Sequence, residues 1–99
     1  MTGVPQAVSR IEEHDPEFLN DLAATAADAF APGELDVKYK FLLAMALDAQ
    51  SNHAGGVKSF ARRARDAGAT EREIVEVLRV LFYLGGMQSL VTAAAALEK

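Results

Sequence analysis

Apolar residues recur along this chain at three- and four-residue spacings, the period of a helix that turns one face to a core. The stretch behind Asp15-Pro16 shows it first: Phe18, Leu19, Leu22, Ala26, Ala29 and Phe30 fall on one stripe, and Pro32-Gly33 ends it. Asp15 is expected to cap this helix, with Pro16 at the first helical position, where its missing N–H costs nothing. Asp36 is the next cap. It opens a helix that runs through Lys38 and Lys40 into seven consecutive apolar residues, Phe41 to Leu47. Such a helix is apolar on nearly every side and is expected to be the central, most buried element. A short buried strand is the competing reading, but Ala, Leu and Met favour helix and none of the seven is β-branched.

After the break at Ser51-Asn52 a third helix carries Val57, Phe60, Ala61 and Ala64 on one side and Lys58, Arg62, Arg63 and Arg65 on the others. Gly68 suits its left-handed C-terminal cap. Thr70-Glu71-Arg72-Glu73 has the form of a capping box, in which the Thr70 hydroxyl and the Glu73 carboxylate each satisfy a backbone donor. The fourth helix then shows its apolar stripe at Ile74, Val77, Leu78, Leu81 and Phe82 before Gly85-Gly86 interrupts it. A fifth, alanine-rich helix is expected from Met87 to Leu97, with Met45 and Met87 as core fillers. The expected architecture is an all-α, single-domain bundle of about five helices over residues 15–99, behind an N-terminal extension, residues 1–14, that packs loosely or frays.

Composition adds two things to this picture. Of 99 residues 51% are hydrophobic and only 7% aromatic, which favours close-packed helices over sheet. That apolar share is high for so small a body, so part of it is expected to meet other copies in a homo-oligomer. The net charge of −4 opposes general binding to nucleic acid or to anionic membranes. Without a basic, then apolar, N-terminal segment or an uninterrupted apolar run of about 20 residues, a cytoplasmic protein with no membrane partner is expected. Cysteine is absent, which removes disulfides, thiolate metal sites and thiol redox chemistry.

Three pieces of sequence now stand in order: Gly33-x-Leu35-Asp36-x-Lys38-x-Lys40 before the apolar helix, Gly68-Ala69-Thr70-x-x-Glu73-Ile74-x-Glu76-Val77-Leu78, and Gly85-Gly86 before an alanine-rich end. Together they resemble the carboxymuconolactone decarboxylase family, which includes the alkylhydroperoxidase D-like proteins, over about residues 16–98. The resemblance implies an all-α fold assembled as homotrimers, or as homohexamers built from them. It also implies a choice among thiol-dependent peroxidases, a lactone decarboxylase and members of unknown activity. The redox branch carries Glu-x-x-Cys-x-x-Cys-x-x-x-His at the start of the third helix. By the family's spacing Gln50 stands here for the glutamate, His53 for the first cysteine, Gly56 for the second and Phe60 for the histidine. A thiol peroxidase of that type is excluded by composition, and Phe60 also departs from the decarboxylase branch, which keeps the histidine.

His53 is the leading catalytic candidate. A neutral imidazole beside the free N–H groups of a helix N-terminus suits base-assisted chemistry on a carboxylate or enolate. The alternative places Asn52 as the cap and His53 as an exposed first-turn residue. Asp48 and Gln50, at the end of the apolar helix, are the further catalytic candidates, with Asp48 either orienting His53 or pairing with arginines of the third helix. Ser51, Asn52, Gly55, Gly56 and Phe60 are the substrate-binding candidates. Two adjacent glycines inside a helix cost roughly 1 kcal/mol each relative to Ala, which points to close approach by a ligand or by another backbone. The basic face of the third helix suits a small anionic ligand or ion pairs with acidic neighbours. No cofactor is expected, and two histidines far apart in sequence do not make a metal site. Two functions follow: a cysteine-free, decarboxylase-like lyase doing proton transfer on a small carboxylate or lactone, or a non-catalytic oligomeric binding or scaffold protein on the same fold.

Overall fold

The computed structural model describes residues 5–98, which are helical nearly throughout. The expectations for Met1 to Val4 lie outside the described residues. The chain divides into two compact units, Met1–Pro32 and Gly33–Lys99. In the first, a 3₁₀ helix over Gln6–Glu13 packs on α1, Pro16–Phe30. The extension is thus ordered into helix beyond Pro5. Asp15 caps α1 as expected: its carboxylate accepts from the Phe18 N–H at 3.1 Å, with Pro16 in the first turn. Leu19 is the one buried residue of α1, while Phe18 on the same stripe stays about half exposed.

The second unit holds α2 (Val37–Gln50), α3 (Ala54–Asp66) and α4 (Glu71–Ala93), followed by a 3₁₀ turn over Ala94–Leu97. Asp36 caps α2 through the Lys38 N–H at 2.9 Å. Thr70 and Glu73 form both halves of the capping box at the head of α4, at 3.0 and 2.8 Å. Helices α2 and α4 run in the same direction, because Lys38 pairs with Glu73 at 3.0 Å near their starts and Gln50 meets Ser89 at 3.1 Å toward their ends. α3 returns between them. Leu42, Met45 and Ala49 on α2, Val57, Ala61 and Ala64 on α3, and Ile74 and Leu78 on α4 are buried. The alanines let the backbones approach closely, and removing the fully buried Met45 side chain would cost about 2–5 kcal/mol.

Of three sequence expectations one holds and two change. The expected break between a fourth and a fifth helix is present: α4 consists of two helical segments that meet at a kink at Gly86, with φ 84° and ψ −175°. That conformation is open essentially to glycine alone, so the interruption is real but confined to a single residue. Second, α2 is packed on one side only: Phe41, Leu42, Met45 and Ala49 are buried, but Leu43 and Leu47 stand out to solvent. Third, Met87 is 62% exposed and is no core filler, and Phe82 lies off the buried stripe.

Arg65 ties the ends of this unit together. Its guanidinium forms a bidentate pair with Glu71 and donates to the Ala96 carbonyl at 2.8 Å, joining α3 to the head of α4 and to the last turn. The hydrogen bond to Arg65 lowers the Glu71 pKa and raises that of Arg65. Two more members of the basic face are engaged nearby, with Lys58 at 3.7 Å from Glu98 and Arg63 over the Phe60 ring.

Candidate functional site

α2 ends at Ser51, and two backbone bonds close it: Asn52 N–H to the Ala49 carbonyl at 3.1 Å and His53 N–H to the Asp48 carbonyl at 2.8 Å. This is the double bond of a Schellman closure, which needs a left-handed residue in its middle. Asn52 supplies it at φ 60°, the one non-glycine residue with positive φ among those described. Asparagine tolerates that region better than most residues. Its side chain is held from the far side, since the Asn52 amide and the Thr92 hydroxyl of α4 lie 3.1 Å apart. Asn52 therefore terminates α2 and does not cap α3.

The cap position of α3 falls to His53, whose side chain makes no bond to the helix it precedes. Its ring turns instead toward Asp48, with Nδ1 3.8 Å from Oδ2, and remains 61% exposed. That separation suits an ion pair and is too long for a direct hydrogen bond. Both groups lie over Gly56: a side chain there would collide with the Asp48 carboxylate and come within 2.9 Å of the imidazole. Gly55 is open by comparison, with the imidazole 4.0 Å from where its side chain would begin. The glycine pair thus answers to one close approach, at Gly56, made by side chains of the same unit.

Gln50 leaves α2 on another side. Its amide meets the Ser89 hydroxyl at 3.1 Å and covers Gly85, where a side chain would strike both groups. Ser89 and Thr92 are the buried polar residues of the described chain, and each also donates to its own helix, at Gly85 and Gln88. Reasoning from sequence missed this pair. The available signal was two hydroxyls three residues apart in an alanine-rich segment just past Gly85-Gly86, which puts them on one face.

The structure therefore brings Asp48, His53 and Gly56 together, and sets Gln50 and Asn52 against α4 on either side of the same turn. Ser51 is the exposed closing residue of α2, bonded through its N–H to the Leu47 carbonyl at 3.1 Å. Phe60 lies about two turns further along α3 and stacks on Phe41, ring centres 6.3 Å apart. Among the described residues no group of three or more His, Cys, Asp or Glu side chains is placed to hold a metal ion.

Beside this junction an open groove of about 610 Å³ runs between α2 and α4, with Gln50 among its lining. Leu42, Leu43, Ala46 and Leu47 form one wall and Val77, Val80, Leu81 and Leu84 the other, with Glu73 and Glu76 as its acidic members. The imidazole of His53 is not among the residues that line it.

Comparison with known proteins agrees across sequence and structure. The family model described as the carboxymuconolactone decarboxylase family matches residues 16–99. A carboxymuconolactone decarboxylase family protein from Legionella pneumophila, solved in its apo form, superposes with a TM-score of 0.82. It is 32% identical, and the match covers 92% of this chain and 81% of that one. An uncharacterised protein from Methanocaldococcus jannaschii is 26% identical over 92 residues, which span 93% of this chain and 86% of that protein.

Proposed function

The chain belongs to the carboxymuconolactone decarboxylase family, and from that premise we propose that it is a cytoplasmic, cysteine-free member that carries out proton transfer on a small carboxylate or lactone, with His53 as the base. One observation carries this reading: the Asp48 carboxylate and the His53 imidazole face each other over Gly56 at the mouth of α3, where a side chain at position 56 would displace both. Asp48 faces Nδ1, which leaves Nε2 as the nitrogen turned to a substrate. The first-turn N–H groups of α3, uncapped by His53, would receive the negative charge of a carboxylate or of a developing enolate. Gln50, anchored on Ser89, would add a polar contact on the substrate's other side. Decarboxylation, which leaves an enolate to be reprotonated, and lactone isomerisation both fit this set. Neither requires a thiol.

The test is turnover of a panel of small lactones and 2-oxo acids by the intact protein and by His53→Ala. A loss of roughly 10²–10⁴-fold in the variant is expected from a removed general base. Activity retained in full would sink the role of His53.

A second reading, an oligomeric binding or scaffold protein that kept the fold without the chemistry, rests on a different observation. The groove beside the junction is lined almost wholly by apolar side chains and opens at Gln50 instead of at His53. Absence of turnover across the whole panel, with an apolar ligand bound in the groove, would favour it.

A further inference from the structure

We infer that Thr92 is a positioning residue for the imidazole of His53: from α4 it holds Asn52 in its left-handed conformation and so fixes the turn that aims the ring at Asp48. The ring has little else to direct it. It is 61% exposed, and the side chain makes no bond to the helix it precedes. Its direction is therefore inherited from the backbone of the turn. That backbone also places its partner, because the His53 N–H bonds to the Asp48 carbonyl at 2.8 Å across the residue at φ 60°, Asn52.

Glycine occupies the left-handed region without penalty, and Gly68 does so at the end of α3. What asparagine adds at the end of α2 is an amide, and that amide meets the Thr92 hydroxyl at 3.1 Å. A hydroxyl donates once and accepts twice, so Thr92 serves both its own helix, at the Gln88 carbonyl 3.2 Å away, and Asn52. Ser89, three residues earlier, bonds in the same way to Gly85 and Gln50. The residues on either side of Ser51 are thus both tied to the half of α4 that lies beyond the Gly86 kink. Thr92 is buried, whereas Asn52 is exposed. Breaking their bond leaves an amide that water can satisfy, so the loss falls on the direction of the turn more than on stability. That Thr92 thereby governs turnover rests on the reading of His53 given above; that it sets the ring does not.

The experiment compares Thr92→Val, Thr92→Ser and Asn52→Gly with the intact protein by proton NMR and by turnover. The chain has two histidines, and His53→Ala tells their signals apart. In the wild type the ring lies against Gly56, so nuclear Overhauser contacts from the imidazole to the Gly56 α-protons are expected. Thr92→Val, which keeps the shape and removes the hydroxyl, should lose them at unchanged helix content by circular dichroism, and Thr92→Ser should keep them. Asn52→Gly should lose them as well, although glycine suits the backbone better, a result that a merely structural asparagine would not give. On the lactones and 2-oxo acids that the wild type turns over, Thr92→Val and Asn52→Gly should lower kcat by roughly 10–10²-fold with KM within about twofold, as a displaced general base requires. Ring contacts that survive both Thr92→Val and Asn52→Gly overturn the proposal, as does a loss that Thr92→Ser shares. Should Thr92→Val fail to fold, Asn52→Gly decides. A wild type without turnover whose ring contacts still depend on Thr92 supports the positioning and sinks only the role of His53 as base.

Discussion

Two junctions in the second unit are closed by the same backbone device and put to different ends. Where α3 passes into α4, Gly68 at φ 104° carries the left-handed turn, and Gly68 and Ala69 N–H groups bond back to the Arg65 and Ala64 carbonyls at 3.0 and 2.8 Å. The next helix then begins with both halves of a capping box, and Arg65 locks Glu71 from outside. Thr70, Glu71 and Glu73 at this turn are each engaged by a side chain or backbone partner. Where α2 passes into α3, Asn52 replaces glycine, and the cap position belongs to a histidine that caps nothing. Its ring and the Asp48 carboxylate face each other above a glycine and are partly open to water. The contrast teaches where to look for function: the first junction is built to hold helices, and the second gives up a capping bond to present an imidazole.

The largest expected effect separates the two by activity. His53→Ala should reduce turnover by the two to four orders of magnitude given above while leaving the denaturation midpoint unchanged, since the ring is 61% exposed and bonds to no helix amide. A fall in stability instead would make the α2–α3 junction structural like its counterpart. The next effect is on stability alone. Gly68→Ala places a side chain in a left-handed conformation and should cost about 1–2 kcal/mol in chemical denaturation, with turnover unaffected. Gly56→Ala should do the reverse. Its side chain would displace the mobile ends of Asp48 and His53 and no backbone, so turnover should drop, while stability holds or rises by up to about 1 kcal/mol from better helix propensity. Two glycines at the ends of one helix would then behave oppositely. Equal destabilisation by both would erase the distinction.

How far each junction could be read in advance follows from the range of the forces involved. Asp15, Asp36, Gly68 and the Thr70–Glu73 box act within three or four residues, and all four ends came out as their local chemistry requires. Asn52 was ambiguous because asparagine serves both as a helix cap and as a left-handed closing residue; the choice is fixed by Thr92, forty residues away along the chain. Ser89 and Thr92 likewise look like solvated positions until α2 is laid against them. Periodicity told which residues of α2 and α4 share a face, but not how many faces a single chain can cover. Met87 and Leu47, apolar and on stripes, are exposed for that reason.

The smallest effect concerns acid, and it acts on the α3–α4 junction. The Glu73 carboxylate lies below its ordinary value of 4.5, chiefly through the Thr70 N–H it accepts in the capping box and then through Lys38. A lowered folded-state pKa means that the unfolded chain binds the proton more readily. The stabilisation is therefore complete above the ordinary value and is lost as pH falls through the lowered one. Lys38, raised chiefly by its bond to Glu73, behaves oppositely: its contribution is complete below 10.5 and lost only in alkali as pH rises through the raised value. Between those limits the pair is fully charged. Denaturation midpoints measured from neutral pH into acid should fall for the wild type below about 4.5 and fall less steeply for Glu73→Gln, whose amide keeps the box without the charge. An unchanged slope in the variant would move the acid sensitivity away from this box, with Glu71 and its bond to Arg65 as the next carboxylate to replace.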